Sequence, residues 1–187
     1  MRPARVHITG GSGAGTTTLG RALADAWSVP SFDTDDFYWQ PTDPPFQVKR
    51  EVPDRLALMQ AMFLPRRAWV LSGSLMGWGD PLAAHFDLVV LLVLDPRVRM
   101  ARLEAREALR YAPEDISPGG PLGEAHRTFM NWASRYDDPG FTGRSRGGHE
   151  RWMATLPCPS ICLDSAAPVD DLVAAITARA GRDGRKT

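Results

Sequence analysis

The stretch GGSGAGTTTL, from Gly10 to Leu19, decides how this sequence is interpreted. Its spacing matches the phosphate-binding pattern G-x-x-x-x-G-K-[ST], with Gly10 and Gly15 as the two glycines and Thr17 as the hydroxyl residue. Thr16 stands where the pattern has lysine. Glycines let successive backbone N–H groups point at phosphate oxygens, and the following helix adds its partial positive charge. The stretch therefore predicts a phosphate-binding loop in which Thr17 binds Mg²⁺ through its hydroxyl and Thr16 adds no charge.

The residues on either side of this loop have the strand–loop–helix pattern that a phosphate loop requires. Residues 4–9, ARVHIT, form a β-rich run that the glycines end. After the loop, apolar residues recur at the spacing of one helix face. These residues are Leu19, Ala22, Leu23, Ala26 and Trp27.

Two other interpretations of the glycines stay open. A dinucleotide-binding fingerprint, G-x-G-x-x-G, begins at Gly11 and Gly13, and an acid, Asp33, follows at roughly the 20-residue spacing of that fingerprint. Its third glycine, however, falls on Thr16. The other alternative is a glycine-rich turn that binds no ligand.

Strands and helices alternate along the rest of the chain. The run DLVVLLVLD, residues 87–95, is continuously apolar, as expected of a strand buried on both faces of a parallel sheet. We therefore predict an α/β fold: one P-loop three-layer sandwich over residues 1–187, with a parallel five-stranded sheet and strand two at an edge. Two long excursions, about 36–66 and 111–147, are expected above the carboxyl ends of the strands as a substrate-binding insertion and a lid.

Composition excludes several classes of partner. Lys plus Arg and Asp plus Glu both number 22, and this zero formal charge argues against non-specific binding to nucleic acid or membrane. No apolar run approaches the roughly 20 residues that span a bilayer, and no signal-peptide pattern is present, so we expect a cytoplasmic monomer or homodimer. Cys158 and Cys162, about 13 Å apart if they lie on one strand, are expected to be free thiols.

Three segments together, ITGGSGAGTTTLGRALA, FDTDDFYW and VLSGS, resemble the adenylate kinase-like branch of P-loop proteins, which includes nucleoside monophosphate kinases and shikimate kinase. More narrowly, the chain resembles bacterial proteins described as P-loop ATPases or adenylate kinases that share a GTTTLG loop. The segments NWASRYDD and GRSRGGHERW match only this narrower group. The resemblance implies a domain that binds ATP, or another nucleoside triphosphate, together with Mg²⁺.

An acidic segment follows the second predicted strand. Asp33, Asp35, Asp36 and Asp43 lie in a segment without Lys or Arg. In shikimate kinase-like proteins the first aspartate of the matching motif supports Mg²⁺ through water and the second contacts the acceptor hydroxyl, so the resemblance assigns these roles to Asp33 and Asp35. A carboxylate beside an acceptor hydroxyl can orient it or accept its proton. The alternative is that either residue caps a helix or forms a turn.

Arginines share one stripe of the helix predicted over residues 97–110. On a helical wheel these arginines are separate from an apolar face that is expected to pack on the sheet. The apolar face contains Val98, Ala101, Ala105, Ala108 and Leu109. The stripe contains Arg99, Arg102, Arg106 and Arg110. Because it leads into the lid, and lid arginines of related kinases grip the nucleotide phosphates, we expect Arg102 and Arg106 to replace the missing lysine, followed by Arg144 and Arg146 in GRSRGGHE. A solvated face is the alternative.

Three further residues are candidates for contact with the acceptor. Trp39 and Trp78 lie in predicted loops, where a ring could stack on a substrate. Gly73 ends a strand and could let the backbone approach a ligand. His149 is expected near a helix cap and His7 within the fold.

These observations predict a small-molecule phosphotransferase of nucleoside monophosphate kinase or shikimate kinase type, with an atypical Walker A loop. A non-catalytic nucleotide-binding protein derived from a kinase is the alternative, and a dinucleotide-binding oxidoreductase is a third. The candidate nucleotide-binding residues are Gly10, Gly13, Ala14, Gly15, Thr16, Thr17, Thr18, Arg144 and Arg146. Asp35, Arg102 and Arg106 are the candidates for catalysis, Asp35, Trp39, Gly73 and Trp78 for the acceptor, and Thr17 and Asp33 for Mg²⁺.

Overall fold

A computed structural model describes residues 4–183, so both ends of the predicted domain, 1–187, lie outside the described residues. The strands are β1 (Arg5–Gly10), β2 (Ser31–Asp33), β3 (Trp69–Ser72), β4 (Leu88–Val93) and β5 (Ser160–Asp164). The helices are α1 (Thr16–Trp27), α2 (Thr34–Tyr38), α3 (Val52–Met62), α4 (Pro96–Arg110), α5 (Pro113–Ile116), α6 (Gly123–Ser134), α7 (Arg146–Met153) and α8 (Val169–Asp183). Short 3₁₀ helices cover Asp80–His85 and Arg135–Asp137.

The five strands form one parallel sheet in the order β2-β3-β1-β4-β5. This confirms the predicted α/β fold class and the position of strand two at an edge. Strand β1 lies between β3 and β4, and it leads through the glycine loop into α1. The loop therefore starts at the point where the strand order reverses, which is where ligands bind in open α/β sheets.

The core has two parts, one on each face of the sheet. On one face, α1 and α8 pack against the sheet, and the buried residues include Val6, Ile8, Leu23 and Ile176. On the other face, a second buried cluster includes Phe37, Met59, Phe63, Trp69 and Leu71. Burial of both faces explains why the central strands have almost no exposed positions.

Helix α4 contradicts the predicted apolar face. Val98 is 44% exposed and Leu109 is 91% exposed, whereas Arg99, Leu103 and Glu107 form the buried side of the helix. The alanines of the predicted face offer little apolar area to bury. The guanidinium of Arg99, in contrast, can be buried because oxygen atoms from distant parts of the chain accept its hydrogen bonds.

The two long excursions contain helices of their own. The first holds most of α2 and all of α3, and the second holds α5 and α6. Along the described stretch of the chain, no helix combines the length and the apolar character needed to cross a membrane.

Candidate nucleotide and acceptor site

The glycine loop has the backbone shape of a phosphate cradle. Gly13 and Gly15 have φ angles of 88° and 89°, a left-handed conformation that favours glycine. A Cβ atom at Gly13 would also collide with the carbonyl oxygen of Arg99. Gly15 is the N-cap of α1 and contributes no side-chain hydrogen bond to the first turn. The N–H groups at the start of α1 are therefore left to bind an anion.

The hydroxyl of Thr17 is held by a carboxylate. Thr17 Oγ1 donates to Asp33 Oδ2 over 2.7 Å, and Asp33 Oδ1 accepts the backbone N–H of Asp35 over 3.0 Å. Asp33 is therefore the N-cap of α2, as the structural alternative predicted, while its second oxygen stays beside the loop. Thr16 is the first residue of α1, and Thr18 is exposed one position after Thr17.

This pair of oxygen donors fits Mg²⁺, which takes one or two protein ligands and completes its shell with water and phosphate oxygens. Among residues 4–183, no group of three or more His, Cys, Asp and Glu side chains could hold a metal ion by itself. The residues present therefore suit an ion that arrives with a nucleotide rather than one held in a protein cage.

A buried arginine supports the loop. Arg99 is 1% exposed and donates from Nη1 to the carbonyl of Ser12 over 3.0 Å. Its Nη2 donates to the carbonyl of Ala133 at 3.0 Å and to the carboxylate of Asp137 at 3.1 Å. Arg99 therefore belongs to the support of the loop, although the sequence placed it on a stripe with Arg102 and Arg106.

Tyr136 and His149 complete this support. The ring of Tyr136 packs against Gly11, where any side chain would collide with it. Its hydroxyl lies 2.8 Å from His149 Nδ1, and His149 Nε2 lies 2.9 Å from Ser74 Oγ and 3.1 Å from Thr9 Oγ1. We call Arg99, Tyr136 and His149 the loop floor.

His149 is neutral in this setting. Burial, with smaller contributions from Arg144 and His7, lowers the pKa of His149 to about 3. The expectation of a helix-cap residue was wrong: His149 lies inside α7 and is fully buried, and Ser145 caps that helix. Its partners come from β1, from the segment after β3 and from the lid, so no local sequence signal marks them.

Arg144 reaches the glycine loop from the lid region. Its Nη2 donates to Ser12 Oγ over 2.8 Å, and its guanidinium lies 4.6 Å from the ring centre of Trp132. Its Nε is buried and has no hydrogen-bond partner among the described residues. Burial lowers the pKa of Arg144, and the charge of Asp35 opposes that shift. Arg144 therefore brings a partly desolvated cation to the loop that lacks lysine.

Asp35 lies in the wall of the cleft beside the loop, in the electrostatic field of three arginines. Desolvation is the main cause that raises the pKa of Asp35, and the charge of Asp33 adds to it. Arg144, Arg106 and Arg110 act in the opposite direction. A carboxylate with a raised pKa is a stronger base than an ordinary one.

The other candidate arginines have separate surroundings. Arg102 Nη1 lies 3.4 Å from both Ser165 O and Ser165 Oγ, and Ser165 Oγ donates to the carbonyl of Ala14 in the loop. Arg106 forms an ion pair of 2.9 Å with buried Glu107. Arg146 is exposed and pairs with Glu150 at 2.9 Å.

A cleft of about 650 Å³ extends from Ser12 between the two excursions. Asp35, Trp39 and Trp78 line it, as do Arg106, Arg110 and Arg144. Gly73 has φ 108°, and a side chain there would collide with Thr34 Oγ1, so the close approach that requires glycine is to Thr34. Thr34 and Ser74 line the cleft in its place.

Arg55, which the sequence offers with Lys49 and Arg50 as a cationic pocket for the phosphate of a nucleotide acceptor, also lines the cleft. It is 6% exposed, and its guanidinium lies 3.9 Å from the ring centre of Tyr38 and 5.1 Å from that of Trp78.

The chain is 42% identical to the uncharacterized protein YqaC of Bacillus subtilis (strain 168) over 168 residues, which cover 90% of this chain and 92% of that protein. No family model matches the sequence. Among solved structures, a shikimate kinase from Aquifex aeolicus superposes with a TM-score of 0.56 at 13% identity, covering 98% of this chain and 99% of that chain. A gluconokinase from Sinorhizobium meliloti superposes with a TM-score of 0.53 at 18% identity, covering 96% and 93%. These likenesses confirm the P-loop kinase fold.

Proposed function

This chain belongs to the family of the Bacillus subtilis protein YqaC, and we propose that it is a phosphotransferase that moves the terminal phosphoryl group of ATP, or of another nucleoside triphosphate, to a small-molecule acceptor. The observation that carries the proposal is the hydrogen bond of Arg144 to Ser12, beside Asp35. It brings a cation and a base to the loop, which are the two groups that phosphoryl transfer needs near the reacting oxygens.

The nucleotide phosphates would bind to the N–H groups of residues 13 to 17 and to the start of α1. Mg²⁺, held by Thr17 with Asp33 behind it, would supply charge to the phosphate oxygens when bound. Arg144 would exchange its contact with Ser12 for a phosphate oxygen. Arginine suits this task because its planar group donates two hydrogen bonds and keeps its charge.

Asp35 would orient the acceptor. Its carboxylate accepts the hydrogen bond of the acceptor hydroxyl and takes its proton as the oxygen bonds to the γ-phosphorus. The bond between that phosphorus and the leaving nucleoside diphosphate breaks at the same time. Arg106, which lines the cleft, and Arg102, which lies beside Ser165 behind the loop, are proposed to share in meeting the charge of the transferring group. Arg146 is the least supported of the proposed phosphate ligands because it is paired and exposed.

A non-catalytic nucleotide-binding role is the second candidate, and Thr16 is the observation that favours it. The two functions differ in what Arg144 does. In a protein that only binds nucleotide, the charge of Arg144 adds to affinity and no acceptor is consumed.

Titration calorimetry with MgATP tests the proposal. We expect binding in the wild type, and binding at least about tenfold weaker in Arg144→Leu, because a charged hydrogen bond contributes roughly 1.5–3 kcal/mol. Arg135→Ala is the matched control, since Arg135 is an exposed arginine of the same region that pairs with Asp138. Absence of Mg²⁺-dependent binding in the wild type at about 5 mM ATP, weaker than an ordinary KM, would contradict nucleotide binding. Equal affinity in Arg144→Leu and Arg135→Ala would contradict the role of Arg144.

A further inference from the structure

The residues that line the acceptor cleft indicate the class of molecule that it binds. We infer that the acceptor is a flat ring compound that carries an anionic group, recognised by Tyr38, Trp39 and Trp78 through its ring and by Arg55 through its anion. This inference rests on the proposed function, because that function makes the cleft the acceptor site.

Aromatic rings form a continuous surface in the cleft. The ring centre of Tyr38 lies 4.9 Å from that of Trp39 and 6.0 Å from that of Trp78. Trp39 in turn lies 6.0 Å from Phe46. Helix α6 adds the stacked pair Phe129 and Trp132. Tyr38, Trp39, Trp78 and Phe46 meet edge to face, at angles of 61° to 70°, so they present separate ring faces rather than one plane. A flat ligand ring can stack on such a face and bury the most area there.

Arg55 carries a charge for which the described part of the chain offers no carboxylate. Its Nε donates to the carbonyl of Arg50 over 2.6 Å, and its guanidinium lies over the ring of Tyr38 and near that of Trp78. No ion pair to Arg55 occurs among residues 4–183. A side chain that is 6% exposed and charged is costly without a counter-charge, so a ligand anion would complete this site.

The charges in the cleft point to the same ligand. Its cationic residues are Lys49, Arg55, Arg106, Arg110 and Arg144, and its acidic residues are Asp35 and Glu107. Arg106 and Arg110 lie at 2.9 Å and 3.6 Å from Glu107, whereas Arg55, Lys49 and Arg144 form no ion pair among residues 4–183. Because Arg144 is proposed to bind the nucleotide phosphates, Arg55 and Lys49 are the unpaired cations left for an acceptor anion.

The volume also favours a ligand larger than a small cyclic polyol. About 650 Å³ is the middle of the range that encloses drug-sized molecules, roughly 300–1,000 Å³. A ring, an anionic group and a hydroxyl-bearing part fit together in such a space, with the hydroxyl beside Asp35.

The test measures binding to the full chain without nucleotide, by calorimetry, for two matched pairs of probes. Adenosine monophosphate is compared with ribose 5-phosphate, and 3-hydroxybenzoate with 3-hydroxycyclohexanecarboxylate. We expect the flat member of at least one pair to bind about tenfold tighter or more, since stacking on one aromatic residue is worth roughly five- to 150-fold. The inference is overturned if the saturated members bind as tightly, or if neither flat probe binds at about 10 mM, beyond useful affinity.

Variants then test separately how the cleft recognises the ring and how it recognises the anion. Trp78→Leu should reduce the preference for the flat probe to less than threefold, whereas Trp27→Phe, at a tryptophan that bonds to Thr177 outside the cleft, should retain it. Arg55→Gln should remove most of the preference for adenosine monophosphate over adenosine, and Arg55→Lys should keep part of it. Unchanged preferences in Trp78→Leu and in folded Arg55 variants, verified by melting temperature, would overturn the inference.

These binding measurements fail independently of the proposed function. A ring preference without MgATP binding would contradict the phosphotransferase and retain the cleft as a binding site. MgATP binding and turnover with a saturated acceptor would support the phosphotransferase and contradict the preference for a flat ring.

Discussion

The loop floor and the neighbouring cleft both use arginine, and they use it differently. In the floor, Arg99 donates to three oxygen atoms, one of them a carboxylate oxygen of Asp137, and is almost fully buried. In the cleft, Arg144 makes one hydrogen bond, to Ser12 Oγ, and forms no ion pair within the described structure. Both residues bind Ser12, one through its carbonyl and the other through its hydroxyl.

This difference separates a structural role from a functional one. A guanidinium whose two terminal nitrogens both donate to protein oxygens, as in Arg99, stabilises the fold and has little left to offer a ligand. A guanidinium with one replaceable hydroxyl partner can move to a phosphate with little loss of stability. Substitutions in the floor should therefore unfold the protein, and substitutions in the cleft should remove its function while the fold remains.

Replacement of Arg144 should give the largest effect. We expect Arg144→Leu to reduce turnover by about 10³-fold or more, because arginines that meet the charge of a transferring phosphoryl group are worth roughly 10³–10⁵ in rate. Steady-state assay of ATP consumption, with circular dichroism melting as the stability measurement, checks this. A loss of turnover that follows the loss of folded protein would place Arg144 in the floor.

Asp35→Asn should reduce kcat by about 10²–10⁴-fold with little change in ATP affinity, as expected for loss of a general base. Asp35 must be ionised to accept a proton, and its pKa is raised. The wild-type rate should therefore fall on acidification at a higher pH than for an ordinary aspartate, and Asp35→Asn should lack this acidic limb. Equal losses in affinity and rate would instead place Asp35 with the Mg²⁺ ligands.

In the floor, Arg99→Leu should lower the free energy of unfolding by about 3 kcal/mol or more, because it leaves buried carbonyls and Asp137 without their partner. Arg97→Ala is the matched substitution at an exposed position of the same helix, where changes usually stay within about 0.5 kcal/mol. Urea denaturation of both variants measures the contrast. Similar stabilities would mean that the burial of Arg99 has no energetic consequence.

The floor should also respond to pH through His149. Its pKa is lowered to about 3 in the folded protein, so between pH 6.5 and about 3 the unfolded chain binds the extra proton. Stability from this group is complete above pH 6.5 and is lost as the pH falls below it. His149→Gln should therefore show a smaller decline in the free energy of unfolding between pH 7 and 5 than the wild type. Parallel declines would show that His149 titrates normally.

The smallest effect is expected when the missing lysine is restored. Thr16→Lys should tighten MgATP by less than about tenfold and leave kcat unchanged, because Arg144 already supplies the charge at this position. Comparison of kcat and the ATP dissociation constant with the wild type provides the measurement. A large rise in kcat would show instead that the loop is impaired without lysine.

The fold could be predicted from the sequence because its signals are local. Each signal is carried by residues that are close together in the sequence. These signals are the glycine spacing, the apolar run of β4 and the alternation of strands and helices. Thr17 and Asp33 could be paired because the phosphate-loop pattern assigns Thr17, and the resemblance assigns Asp33, to the same Mg²⁺ ion. The structure places Thr17 Oγ1 and Asp33 Oδ2 2.7 Å apart.

The candidate site could be predicted only in part, because its partners come from distant segments. The burial of Arg99 depends on oxygen atoms of Ser12, Ala133 and Asp137, so helical periodicity assigned the wrong face of α4 to the core. The stripe favours Arg102 and Arg106, whereas the hydrogen bond to Ser12 Oγ comes from Arg144, in a loop without periodicity.

We propose that this loop binds nucleotide phosphates with an arginine in place of its lysine. A crystal structure with Mg²⁺ and a non-hydrolysable ATP analogue would test this. We expect the β-phosphate to lie on the N–H groups of residues 13 to 17 and Arg144 to donate to a γ-phosphate oxygen. A nucleotide bound away from the loop, or Arg144 still bonded only to Ser12 beside a bound γ-phosphate, would contradict it.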